Sequence, residues 1–435
     1  MSESFDAIVI GGGPGGAVSA LVLARAGLRV CVLEKSRHPR FHIGESILPR
    51  NLTLLKELGL EEAFRRLSHV PKYGAEFGWG NDPKTMQFLF GDGLLPGSPT
   101  FNVERAPFDK MLLDAARDAG AEVFEETAVK RIVRLGSDGS EVETSECNFT
   151  GRIVLDASGH GTVVGRHLGI RRGFDDPHLQ KVAYFQHFEN VERLPGDAEG
   201  HPTLLMCREG WFWVIALNAT KTSVGFVTRP SFVRELDVPP DALLQWGIAR
   251  CPMLRHRMRS AVGPATNYVL ADFSYRCRPF AGPGYFLVGD AACFLDPVFS
   301  TGVTLAMMSG REAATHAIGI LRGDAQPALA AKAYCRLLEG STAVFWRLIR
   351  GYYKHAFREL FMTARGPLRV HSAVISILAG EVFPKPAWAL RWRLRYFELC
   401  VWLQTHFALA PHTPEFSLRA ETPAPLVLAE PVGVA

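Results

Sequence analysis

The stretch that most constrains this chain is FDAIVIGGGPGGAVSALVLARAGLRVCVLE, residues 5 to 34. Ala7 to Ile10 is a short apolar run ending in glycines, the pattern of a buried parallel strand. Gly11, Gly13 and Gly16 fall in a G-x-G-x-x-G frame. The first glycine lets the chain turn tightly, the second lets a pyrophosphate approach the backbone, and the third lets the next helix pack on the strand. Ala17 to Ala26 reads as that helix, stopped by Gly27, and Arg29 to Leu33 as the next strand. Glu34 closes it, about 20 residues past the glycines, where a carboxylate grips a ribose hydroxyl. A glycine trio alone is weak evidence; the full strand-helix-strand unit with its terminal acid predicts a bound dinucleotide on an α/β sheet.

A chain of 435 residues has room for two or three domains, or for one large α/β unit with insertions. With 47% hydrophobic and 21% charged residues it reads as an ordinary globular protein. A net charge of +4 is too small to imply nucleic acid. The 8 cysteines contain no C-x-x-C pair, which argues against a metal site or disulfide framework and for a reducing, cytoplasmic setting. No basic segment with an apolar signal core precedes the first strand, and no apolar run has membrane-spanning length.

In HPRFHIGESILPRNL, Gly44-Glu45-Ser46 reads as a turn that starts a helix, with Ser46 either its N-cap or a cofactor contact. Pro71 to Gly80 reads as a strand entry with Phe77 and Trp79 on one face. Lys72 ahead of it is by composition a solvated residue. Val103 to Ala119 is an arginine followed by an amphipathic helix ended by Gly120, and Glu122 to Phe124 returns as a strand. Thr127 to Leu135 and Glu141 to Thr144 form a hairpin pattern. Arg152 to Gly159 is a further buried strand, ending in Asp and small residues at the ligand edge of the sheet.

From Val182 to Thr228 the texture changes to alternating strands, an antiparallel sheet inserted into the first fold. Trp211, Trp213 and Ile215 share a face there by period two, a pattern equally expected of a plain core. Tyr285 to Val288 is a buried strand followed by Gly289-Asp290. Thr301-Gly302 directly precedes a helix, whose free N–H groups suit an anion or polarised oxygen. The last hundred residues are helical, basic and aromatic. Arg391, Arg393 and Arg395 interleave with Trp392, Leu394 and Phe397, as in a covering helix or a docking surface for a partner. Residues 411 to 435, rich in Pro and Ala, are expected to be loosely ordered.

Taken together, the blocks GGGPGGAVSA, PRFHIGESILPRN, KYGAEFGWG, VERAPFDKMLLDAARDAG, DASG, GWFWVIAL and YFLVGDAACFLDPVFSTGVTLAM resemble flavin-dependent halogenases, within the flavoprotein monooxygenases folded like hydroxybenzoate hydroxylase. The resemblance runs to about residue 330, and its GESILP, KYGAEFGWG and DPVFSTGV blocks look like the branch acting on phenols and pyrroles. It implies an α/β fold: a Rossmann-like FAD-binding domain with an inserted antiparallel-sheet substrate domain, about 180–275, within a module 1–330. A C-terminal helical region, 331–435, with a loose tail follows.

Carried over residue by residue, the resemblance implies that Gly11, Gly13, Gly16, Glu34, Arg40, Gly44, Ser46, Arg105 and Asp290 hold FAD. It implies that Thr301 and Gly302 hold chloride and that Lys72 is the essential lysine. Trp211, Trp213 and Ile215 match a W-x-W-x-I-P signature, but Ala216 stands where its proline belongs. Phe299 stands where the tryptophan branch carries a glutamate, in keeping with a ring already electron-rich. The implied chemistry uses FADH2 from a separate flavin reductase, O2 and chloride to make hypochlorous acid, which Lys72 presents to an aromatic substrate, free or tethered to a carrier protein. Two other readings share these blocks. One is a flavin hydroxylase or a reductase of isoprenoid double bonds; the other is a flavin-binding protein without turnover.

Overall fold

The computed structural model describes residues 3–95, 97–176, 179–271, 274–363 and 366–420. The strand Glu3–Ile10 pairs in parallel with Asn148–Asp156 on one side and Val30–Leu33 on the other. Tyr285–Leu287 and Glu122–Phe124 extend the sheet in parallel on its two sides, and Ala281–Gly282 adds an antiparallel edge beyond Tyr285–Leu287. Ala7, Ile8 and Val9 are fully buried, which is why the strand reads as an uninterrupted apolar run. The helix Pro14–Arg25 follows, with Gly13 at its N-cap and no acidic residue in its first turn. Its seat depends on two glycines. Gly11 has φ +101° and a Cβ there would lie 2.5 Å from the Ala157 carbonyl oxygen; a Cβ on Gly16 would lie 1.9 Å from that of Gly11.

The second sheet has seven strands, in the order Tyr268–Leu270, Val182–Glu189, Lys221–Thr228, Gly210–Ala216, Thr203–Met206, Gly74–Trp79, Thr85–Leu89. It is antiparallel except where Thr203–Met206 runs parallel to Gly74–Trp79. The sequence places this sheet at about 180–275, but two strands come from residues 74–89, so its edge is built before the insertion begins. Beside it, His69–Lys72 pairs antiparallel with Thr100–Val103.

The helices Pro327–Tyr352, His355–Met362, Val370–Leu378 and Trp388–Gln404 complete the chain's regular structure. Tyr334, Leu338, Phe345 and Leu348 belong to the same apolar core as Ile8 and Leu155, and the Tyr334 hydroxyl donates to the Leu287 carbonyl at 2.5 Å. Residue 330 is therefore a change of texture and no break in the core. In Trp388–Gln404 the buried residues Leu390, Leu394, Phe397 and Val401 follow helical spacing, while Arg391 and Arg395 face solvent, the arrangement of a covering helix.

The tail departs from the expectation of a loose segment as far as residue 420. Phe416 and Leu418 are buried in a second core, with Phe212, Phe226 and Leu254. The Glu209 carboxylate accepts from the Ser417 hydroxyl at 2.6 Å and from the Leu418 N–H at 3.0 Å. Composition hides this because two apolar side chains among prolines are enough to dock a strap. Residues 421–435 lie outside the described residues. Leu418→Ala is expected to cost about 3 kcal/mol of unfolding free energy, and Leu409→Ala, at an exposed position, no more than about 0.5 kcal/mol. Urea unfolding of the two variants checks this.

Candidate functional site

A cavity of about 680 Å³ opens at the carboxyl ends of the parallel strands, between the two sheets. Gly11, Glu34 and Gly289 line it from the parallel sheet, and Phe185, Trp213 and Ile215 from the antiparallel one. The two tryptophans are buried and also line the cavity, so the period-two face is both core and site wall. Their indoles are fixed by hydrogen bonds, Trp211 to the Tyr353 hydroxyl at 3.2 Å and Trp213 to that of Ser223 at 3.1 Å. Asp156, at the end of its strand, is turned away and accepts from the Ser158 and Val164 N–H groups; its neighbours Ala157 and Ser158 face the cavity instead.

The glycine corner fits a pyrophosphate. A Cβ on Gly13 would meet only Arg40, whose Nη2 lies 3.6 Å away. Arg40 Nη1 is buried without a hydrogen-bond partner, 3.5 Å from Asp109. A cation therefore stands with spare donors beside a positive helix end. Glu34 accepts from the Gly12 N–H at 2.6 Å and the Ser36 N–H at 2.9 Å, and retains acceptor capacity for a ribose hydroxyl.

Arg105 holds the far side of the cavity. Its guanidinium is bidentate to Asp109, at 2.7 and 2.9 Å, and donates through Nη1 to the Ile43 carbonyl at 2.6 Å. Gly44, at φ +100°, makes this approach possible, since a Cβ would lie 2.9 Å from Arg105 Nη1. Asp290 lies on the cavity wall, half-buried. Burial pushes its carboxyl up to about 7, against the pull of the Arg105 charge. Thr301 is the N-cap of Gly302–Arg322, and a Cβ on Gly302 would meet nothing, so this helix start is open to the cavity.

Lys72 departs most from its sequence environment. It is 2% exposed, not solvated, and its amine donates to Ser46 Oγ at 2.9 Å and to the Ile47 carbonyl at 3.2 Å. The Phe90 ring lies 5.1 Å from it. Burial lowers its pKa to about 7. It lines a separate cavity of about 30 Å³ with Phe88, Phe90, Phe299 and Leu378, large enough for a water-sized molecule. Pro202, Leu204, Val298 and Ser300 line both cavities, and Ser46 lines the large one while holding Lys72. Lys84, by contrast, is exposed in the turn after Gly74–Trp79.

Ser46 is thus not a helix N-cap. The next helix is Pro49–Glu57, capped at Leu48, where the Asn51 side chain accepts from the Leu48 N–H at 3.2 Å. Sequence reasoning passed over two buried groups. Asp296 accepts from the Tyr353 hydroxyl at 2.8 Å and lines the large cavity. His201, 4% exposed, lies just before Pro202. Asp296 had a signal, a carboxylate inside the DPVFSTG block; His201 had none.

The sequence matches the family model described as "FAD binding domain" over residues 4–176 and the one described as "Tryptophan halogenase" over 92–360. It is 33% identical to a 1H-pyrrole-2-carbonyl-[peptidyl-carrier protein] brominase of Pseudoalteromonas luteoviolacea, over 72% of this chain and 78% of that protein. It is 27% identical to a 1H-pyrrole-2-carbonyl-[peptidyl-carrier protein] chlorinase of Pseudomonas fluorescens, over 88% and 90%. Among solved structures it resembles the flavin-dependent brominase Bmp2, with TM-score 0.81 and 28% identity over 91% of this chain and 98% of that one. The chondrochloren halogenase CndH gives TM-score 0.75 and 31% identity, over 92% and 97%.

The two glycines predict separable outcomes. Gly13→Val should fold, lose its flavin and melt at the temperature of flavin-free wild type, because its side chain enters ligand space. Gly16→Val should fail to fold, because its side chain meets the backbone of Gly11. Flavin absorbance and thermal denaturation of the purified variants check both.

Proposed function

The chain belongs to the flavin-dependent halogenase family, and from that premise we propose that it chlorinates an electron-rich ring, a phenol or a pyrrole, in secondary metabolism. A separate flavin reductase would supply FADH2, in a cytoplasmic setting; among the described residues no helix is long and apolar enough to cross a membrane. The observation that carries the reading is the buried Lys72 amine, walled off from the large cavity by Ser46 and Ser300. A lysine kept dry at such cost has a task.

Reduced FAD, when bound, would give two electrons to O2, and the two-electron oxidising power that O2 then retains would turn halide into hypohalous acid. The residues around it have distinct parts in this proposal. Gly13 and Arg40 hold the pyrophosphate, Glu34 the ribose, and Arg105 fixes the Ile43–Gly44 turn against the cofactor. Asp290, its carboxyl pushed up to about 7 by burial, is partly protonated near neutral pH and offers a hydrogen bond. The N–H groups at Thr301 and Gly302 hold the halide at a positive helix end. Ser46 and Ser300 stand where an oxidant would cross between the cavities. Lys72, with a pKa of about 7, offers both an ammonium to hydrogen-bond the oxidant and an amine to carry the halogen.

Phe299 in the small cavity leaves that wall apolar, and Glu76 nearby is held by Thr203 and Arg257. Among the described residues no carboxylate lines this cavity beside Lys72, in keeping with a substrate that brings its own electron density. Carrier tethering rests on the printed activities of the two pyrrole relatives. The exposed Trp388 and Trp402, with Arg391 and Arg395, give an apolar and basic face suited to an acidic carrier.

The test supplies chemically reduced FAD, O2 and chloride, then bromide, with phenols and pyrroles both free and carrier-tethered, and reads products by mass spectrometry. Exchange of one ring hydrogen for chlorine is expected; hydroxylated products, or none, would contradict the reading. Lys72→Ala should retain FAD and consume O2 when given FADH2, release oxidant, and leave the substrate unchlorinated. Lys84→Ala should behave as wild type.

A further inference from the structure

His201 is held beside the strand that ends in Lys72. A Cβ on its neighbour Gly200 would lie 1.8 Å from the Pro71 carbonyl oxygen, and Asn102 Nδ2 donates to the Gly200 carbonyl at 2.8 Å. The next residue, Pro202, is part of the wall shared by the two cavities. His201 is 4% exposed, and neither ring nitrogen has a hydrogen-bond partner among the described residues. Around it the same surroundings hold other unused polar atoms. Thr100, directly opposite Lys72 in the strand pair, has an unpartnered buried Oγ1, and Asn102 an unpartnered Oδ1. A buried polar group left without a partner costs about 1–3 kcal/mol, so this concentration beside a buried amine points to a use.

The charges facing His201 are Lys72, Glu76 and Asp197. Burial and the Lys72 charge lower its pKa, while Glu76 and Asp197 work the other way, and the imidazole is neutral at pH 7. Glu76 is itself occupied. Burial favours its acid form, but hydrogen bonds from Thr203 and Thr85 and the charge of Arg257 hold it below the usual carboxylate range. Lys72 donates to Ser46 and to the Ile47 carbonyl, and the carbonyl can take no proton. Of the titratable groups around Lys72, the neutral imidazole is the one poised to accept.

We propose that His201 is a positioning residue for halogen transfer that relays protons to and from Lys72 Nζ. The proposal rests on the halogenase reading above. The ammonium first gives a proton to the imidazole across one bridging water, since neither ring nitrogen is bonded to Nζ. The freed amine attacks the halogen of hypohalous acid: the N–X bond forms, the O–X bond breaks, and the leaving hydroxide takes a proton from nitrogen to become water. When the halogen passes to the ring, the N–X electron pair returns to nitrogen, which takes up one proton, and the ring gives up one. His201 returns its proton when the ammonium is restored.

His201→Gln keeps polarity and removes basicity. With FADH2, O2, chloride and a pyrrole or phenol probe, it should retain flavin and consume O2 at the wild-type rate, yet transfer halogen about 10²-fold more slowly. It should also acquire a solvent deuterium isotope effect that wild type lacks, and His201→Ala should regain rate with added imidazole. A merely structural role would produce neither. Wild-type rate with no isotope effect in His201→Gln would overturn the proposal and send the proton out through Ser46.

A second measurement needs no flavin chemistry. N-chlorination of Lys72 by added hypochlorous acid is followed in the holoenzyme by peptide mass spectrometry across pH. Below the pKa of about 7 of Lys72, the rate should fall with one proton, and below that of His201 with two; a one-proton fall throughout overturns the relay. This arm decides the relay if the variants lose flavin. It also separates the two readings: a two-proton fall in a chain that halogenates no aromatic would sink the halogenase reading and leave the relay standing.

Discussion

Residues 43 to 47 are tied down at every position, and both cavities depend on that. Arg105 holds the Ile43 carbonyl, and a left-handed Gly44 lets it come close. His187 Nε2 lies 2.5 Å from the Glu45 carboxylate, and the Glu45 carbonyl accepts from the Val103 N–H at 2.9 Å. Lys72 holds Ser46 and the Ile47 carbonyl. Short loops usually run over the surface and spend their polar groups on water. This one runs between two cavities and spends them on Arg105, His187 and Lys72, side chains from three distant segments. Release of any one tie would leave an uncompensated charge or carbonyl in a dry wall.

The same wall explains the division of the chemistry. The large cavity has the helix ends and cations that suit a bound dinucleotide, while the small one is lined by apolar residues apart from the Lys72 amine and Ser300. Desolvation alone brings Lys72 to a pKa of about 7, so ammonium and amine coexist near neutral pH. An exposed lysine such as Lys84 lacks that environment. Position along the chain matters less than which side of the wall a group faces.

The cofactor half was legible because its information is local. The glycine frame, the helix and Glu34 lie within 30 residues; Gly16 answers to Gly11, Gly11 to Ala157 after the neighbouring strand, and Gly13 is left open toward Arg40. The alternation of Trp211, Trp213 and Ile215 was readable for the same reason. The transfer half was hidden by distance. Lys72 looks solvated by composition and is buried by Leu48, Phe88, Pro202, Phe299 and Leu378, which no window brings together. Ser46 resembled a helix cap because the helix follows so closely, but the cap is two residues on. His201 carries no pattern at all, and the buried Phe416 and Leu418 are lost among prolines.

The central claim is that oxidant formed in one cavity acts in the other without entering bulk water. Halogenation of a pyrrole or phenol probe in the presence of increasing free methionine, a scavenger of hypohalous acid, tests it most directly. The account predicts a wild-type product yield that does not change with scavenger. A yield that falls in proportion to scavenger would mean that the oxidant escapes before it reacts, and that the wall and Lys72 do not carry it.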